Sequence, residues 1–100
     1  MTQGTTPTHV FTLPFSTELI KSARVTYAQK RAVVLIKEDE ELIMDGESIS
    51  VRLTQADTLR FRPDDEVEIQ LRILTTAGDA LASEIQTVTV SRCLDREVLV

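Results

Sequence analysis

His9 is the one histidine in the chain and Cys93 the one cysteine, so acid-base or thiol chemistry has to run through these positions or through carboxylates. A histidine serves as general base or metal ligand only when partners orient it. His9 follows a polar leader, and an ordinary exposed residue is expected there. A thiol becomes a nucleophile when a neighbouring cation or helix N-terminus lowers its pKa. Cys93 has no histidine near it in sequence and reads as a small apolar filler. Ser22, Ser48, Ser83 and Ser91 lack the flanking glycines of a nucleophile elbow. Gly4, Gly46 and Gly78 stand far apart rather than in a phosphate-cradling loop. No catalytic, cofactor-binding or metal-ligating residue is assigned, and the chain reads as non-enzymatic.

Two carboxylate clusters, Glu38-Asp39-Glu40-Glu41 and Asp64-Asp65-Glu66, carry the hard oxygen atoms that calcium takes. Neither alternates as a loop wrapping an ion does, so solvated acidic turns are expected. An enzymatic reading needs Asp57, Asp64 and His9 gathered in one pocket. The alternative function, a carbohydrate-binding β-sandwich module, needs an exposed ring on which a sugar stacks. Of Phe11, Phe15, Tyr27 and Phe61, most fall at positions patterned for burial; Tyr27 or Phe15 would have to stand exposed in a groove. Arg24, Arg52, Arg60, Arg62 and Arg72 fall on polar strand faces or in a crossover. There a planar guanidinium suits a protein interface and equally keeps an outward face soluble.

The elements that position these residues follow from a hydrophobic period near two. Residues 1–8 are small, polar and unpatterned and read as a flexible leader, with a single domain over residues 9–100. Residues 10–13 form a first short strand, closed by Pro14, and Ser16 caps a brief helical turn. Ala23, Val25 and Tyr27 face one way while Arg24 and Thr26 face the other. Gln29, Lys30 and Arg31 then turn the chain into residues 32–37. Asp45-Gly46 marks a hairpin, after which Ile49, Val51 and Leu53 alternate with Ser50 and Arg52.

Residues 54–59 break the alternation and cross one end of the fold, with Thr54 and Asp57 capping the crossover and Leu59 and Phe61 plugging the core. The cleanest strand covers residues 67–74, followed by a hairpin at Gly78 into one strand over residues 80–90 with a bulge between Ile85 and Val88. Leu94, Val98, Leu99 and Val100 read as an edge strand or docking tail whose loss lowers stability or oligomer size. About seven short strands with no crossover helix predict an all-β fold, an immunoglobulin-like antiparallel β-sandwich.

Composition narrows the partners. With 100 residues, 42% of them hydrophobic, the chain builds one core. A net charge of -5 repels phosphate backbones, so no nucleic-acid partner is expected. The apolar run at residues 32–36 is too short to cross a bilayer, and residues 1–8 lack the blocks of a signal peptide. One cysteine allows no internal disulfide. Synthesis in a reducing cytoplasm without membrane association is expected.

The stretch from Ile49 to Phe61, the Val67-Glu68-Ile69-Gln70-Leu71-Arg72 strand and the Gly78-Asp79-Ala80-Leu81-Ala82-Ser83 return resemble a set of small prophage-encoded proteins of Gram-positive bacteria. More distantly they are similar to the N-terminal β-sandwich of phage upper baseplate proteins. The shared features span roughly residues 20–95. The resemblance implies a non-enzymatic tail or baseplate component, an adaptor that binds other phage structural proteins or itself and enters the virion. The receptor-binding arm of the multidomain pattern has no counterpart after Val100, so direct host recognition is not expected.

Overall fold

The computed structural model describes residues 1–100 as eight strands in two antiparallel sheets, with one short helix. Strand β1 (Thr8–Thr12) pairs with β5 (Ser48–Arg52), which also pairs with β4 (Ile43–Asp45), giving a three-stranded sheet in the order β1-β5-β4. Strands β2 (Ile20–Gln29), β3 (Ala32–Glu38) and β6 (Glu66–Thr75) form the second sheet in the order β3-β2-β6. Two short strands, β7 (Ala80–Ala82) and β8 (Gln86–Thr89), share the far edge of β6. In chain order these strands occupy the places B, C, C′, D, E, F and G of an immunoglobulin sandwich, with β7 and β8 together filling G. The chain is an all-β, immunoglobulin-like antiparallel sandwich.

Alternation decides which side chains enter the core. Ala23, Val25 and Tyr27 on β2 meet Val67, Ile69, Leu71 and Ile73 on β6 across the layer from Phe11, Ile49, Val51 and Leu53. Tyr27 and Phe61 are fully buried, with ring centroids 5.9 Å apart. Leu59 is only half-buried, so Phe61 alone plugs that end.

Local chemistry sets the turns. Ser16 Oγ accepts from the Glu18 amide at the start of a 3-10 turn, Thr17–Leu19. Lys30 and Arg31 join β2 to β3 with both φ angles positive, the geometry of a two-residue hairpin. Gly46, at φ +59, supplies the same freedom between β4 and β5 without a Cβ clash. Helix α1 (Gln55–Leu59) carries the chain from one sheet to the other. Its capping box uses the Thr54 hydroxyl and the Asp57 carboxylate reciprocally, as the crossover residues predict.

Three expectations are corrected. The supposed flexible leader, residues 1–8, is docked: Thr2 makes a parallel bridge to Ser91, and Gln3 is completely buried. A polar residue is at home there because Gln3 Nε2 donates to the Phe61 carbonyl and its Oε1 accepts from the Cys93 amide. The domain therefore includes its first residues.

The strand expected over residues 80–90 is two strands. Leu81 faces Ile73 while Val88 faces Val67, so the register does shift by one residue, but at Ser83–Ile85 rather than between Ile85 and Val88. Ser83 fills the gap, its Oγ accepting from the Leu71 amide and its own amide donating to the Leu71 carbonyl. Lastly, residues 94–100 form no strand and remain exposed. They lie along the surface, held by the Gln55 side-chain amide, which brackets the Leu99 N–H and C=O.

Candidate functional site

His9 is not the exposed residue expected. It shares the inward face of β1 with Phe11, and its Nδ1 lies 2.7 Å from the Tyr27 hydroxyl, with ring centroids 5.6 Å apart. Because His9 is on β1 and Tyr27 on β2, this bond crosses between the two sheets. Burial, reinforced by the N-terminal ammonium, lowers the His9 pKa below its ordinary value, so the ring is neutral. Burial, and then the nearby Asp57 charge, raise that of Tyr27. The phenol is wholly enclosed and presents no stacking face to a sugar. Phe11 and Phe61 are likewise buried, and Phe15 packs half-buried at the rim of the core.

Asp57 makes an ion pair that sequence reading misses. Its Oδ2 lies 2.9 Å from Lys37 Nζ, and both side chains are largely enclosed. Burial pushes the carboxyl up, but bonds from the Thr54 amide, the Lys37 ammonium and the Thr54 hydroxyl outweigh it and hold the pKa below its usual value. Burial pushes Lys37 down, and its bond to Asp57 more than reverses this. The signal for the pair is Lys37 itself, a charge at an inward position beside Leu35 on β3. Asp57, Asp64 and His9 are not gathered: Asp57 pairs with Lys37, His9 with Tyr27, and Asp64 turns the chain at φ +59 with its amide on the Val90 carbonyl.

The acidic clusters are knitted into local structure. Glu38 pairs with Arg24 at 2.9 Å, Asp39 accepts from the Ala23 amide, and Glu41 accepts from Lys37 and from the Glu38 amide. In the second cluster Asp65 accepts from the Glu66 amide and lies 3.7 Å from Lys30 Nζ. No three histidine, cysteine, aspartate or glutamate side chains converge as a metal site requires. The Cys93 thiol donates to the Asp95 carbonyl at 3.0 Å.

Two of the expected arginines share a hollow. Arg60 and Arg62 flank buried Phe61 and, with Lys30 and Arg96, surround a depression of about 560 Å³ at one end of the sandwich. Arg60 donates to the Val34 carbonyl and Arg96 to the Leu59 carbonyl, so both guanidiniums are partly engaged by the fold. Gln29 forms the floor, its amide donating to the Arg62 carbonyl at 2.9 Å and accepting from the Arg62 N–H at 2.7 Å. Arg52 reaches the Thr6 hydroxyl, and Arg72 is exposed on β6.

The outward sheet faces carry the exposed apolar side chains. On the five-stranded sheet Ile36 stands beside Thr26 and Gln70, an uncharged row, and Val33 stands beside Ala28. On the three-stranded sheet Val10 and Ile43, 62% and 64% exposed, flank Ser50. These rows can bury apolar area against another surface, which is recognition rather than bond-making chemistry.

No protein-family model matches the chain, and no curated protein matches it. Among solved structures it is similar to the V domain of amphioxus IgVJ-C2, at 10% identity over 90% of this chain and 96% of that one, with a TM-score of 0.36. No helix is long and apolar enough to cross a membrane.

Proposed function

We propose that the chain is a non-enzymatic assembly domain, a structural adaptor of a phage or prophage tail or baseplate that docks on other structural proteins or on itself. The observation that carries this reading is the uncharged Ile36-Thr26-Gln70 row beside exposed Val33 on the outer face of the five-stranded sheet. A flat face of this kind gains free energy when a partner covers it, and it has no pocket in which a substrate would be enclosed. The tail context rests on the resemblance drawn from the sequence of residues 20–95 alone.

Virions purified after prophage induction of the source strain test the proposal. Mass spectrometry should find the chain in tails, and Ile36→Glu should remove it from them while leaving its melting temperature nearly unchanged. A chain absent from tails, together with normal tail assembly when its gene is deleted, overturns the proposal.

A further inference from the structure

The two sheets end in four edges, and three of them are blunted. Strand β3 carries an extra residue at Val34, turns Lys37 inward to Asp57 and has its Val34 carbonyl capped by Arg60. Bulges and inward charges of this kind are how sheets prevent stray pairing. Strand β4 is only three residues long and ends in Asp45. The far edge of β6 is divided between β7 and β8, and residues 1–3 cover the chain just past β8 through the Gln3 amide on the Ser91 carbonyl and the Ser91 amide on the Met1 carbonyl.

Strand β1 has none of these guards. Its five residues, Thr8-His9-Val10-Phe11-Thr12, include no acidic or basic charge with His9 neutral, no proline and no bulge. In an immunoglobulin sandwich of order A-B-E-D this is the edge that strand A covers, and here no strand lies on it. The hydrogen-bond phase is fixed at both ends. The Leu53 amide donates to the Pro7 carbonyl and the Leu13 amide to the Glu47 carbonyl, so the odd-numbered residues bond to β5. Thr8, Val10 and Thr12 therefore aim their amides and carbonyls out of the sheet.

We propose that β1 is a self-association edge, on which two copies pair their Thr8–Thr12 strands antiparallel about a twofold axis at Val10. The inference rests on the assembly reading above and names a second copy as one of its partners. The strand is self-complementary about Val10. Thr8 meets Thr12 of the second copy, Val10 meets its mate, and about six outward backbone bonds close. Charge does not oppose the pairing. Along the outer face Arg52 stands beside Thr8, whereas Ser48 and then Asp45 stand beside Thr12. The twofold axis puts the Arg52 of one copy in line with the Asp45 of the other, about 19 Å away across four strand spacings, and the seam between them is lined by uncharged Thr8, Val10 and Thr12. The product is a continuous six-stranded sheet with both Val10 side chains side by side.

A pairing this short buries less than a standard interface, so dissociation in the range of roughly 10–100 µM is expected. Light scattering on the full chain at about 100 µM should give an average mass about 1.5 to 1.8 times the 11.2 kDa of one chain, rising toward twice that value with concentration. Val10→Pro, which removes one outward amide, and Val10→Lys, which brings two cations together, should each return the monomer. Ile43→Lys, on the same face but at the opposite edge, should leave the dimer intact. Hydrogen exchange on the unmodified chain gives a second readout. The amides of Thr8, Val10 and Thr12 should exchange quickly when dilute and slow about two- to fivefold at about 100 µM, while those of His9 and Phe11 stay protected throughout. A monomer at the higher concentration, a dimer indifferent to both Val10 substitutions, or fast exchange at Thr8, Val10 and Thr12 at every concentration overturns the pairing. Each of these results leaves the virion experiment free to stand or fall separately.

Discussion

Lys37 Nζ sits 2.9 Å from Asp57 Oδ2, fastening the edge strand β3 to the helix that links the two sheets. Asp57→Ala breaks this pair and the capping box together, leaving an enclosed ammonium with Glu41 alone at 3.4 Å. A loss of about 2–3 kcal/mol is expected in urea denaturation. Lys37→Met keeps the packing of the stem and leaves Asp57 its bonds to Thr54, so it should lose less than Asp57→Ala. Equal losses would mean that the ion pair rather than the cap dominates.

The burial of His9 makes stability depend on mild acidity. The folded ring has a pKa below its ordinary 6.5, so between those two values the unfolded chain binds the extra proton. Stability from the neutral ring is complete above pH 6.5 and drains as pH falls through the lower folded value. Melting temperatures followed from about pH 7.5 to about pH 5 should decline in the native chain and decline less in His9→Gln, which cannot take up that proton.

Gln29 holds the backbone of Arg62 with two part-buried bonds at the floor of the arginine-lined hollow. Gln29→Leu matches its size but leaves one part-buried N–H and one C=O of Arg62 without their partner. A loss of about 2 kcal/mol is expected, read from the denaturant midpoint. Gln29→Glu should be intermediate, because a carboxylate satisfies the Arg62 N–H and repels the carbonyl.

The two ends of the chain should respond oppositely to truncation. Removing residues 1–6 takes away buried Gln3 and the bridge to Ser91, and should lower the melting temperature by several degrees. Removing residues 94–100 takes away only exposed side chains and should change stability by less than about 1 kcal/mol. Calorimetry of both truncations decides the matter.

Much of this architecture is legible in the period-two pattern. Residues 67, 69, 71 and 73 enter the core as their alternation predicts, and a hairpin forms where Asp45-Gly46 signals one, with Asp45 closing β4 and Gly46 at positive φ in the turn. What escapes is whatever depends on partners distant in sequence. Gln3 and Gln29 look like surface residues until Phe61, Arg62 and Cys93 come round to satisfy them. His9 belongs to the inward set of β1, but no local signal reveals Tyr27 18 residues on as its partner. Hydrophobicity alone suggests a strand for residues 94–100, yet they join neither sheet and are held instead by the Gln55 side chain, 44 residues away from Leu99 in sequence.

The bridge between Thr2 and Ser91 also bears on how fast the molecule assembles itself. Residues 1–3 wait for residue 91, and β1 likewise waits for β5. Closing such long loops precedes any reward from the contacts they create, which places folding in the millisecond-to-second range rather than microseconds. Until residues 91–93 are in place Gln3 has no site to enter, so its burial cannot precede theirs.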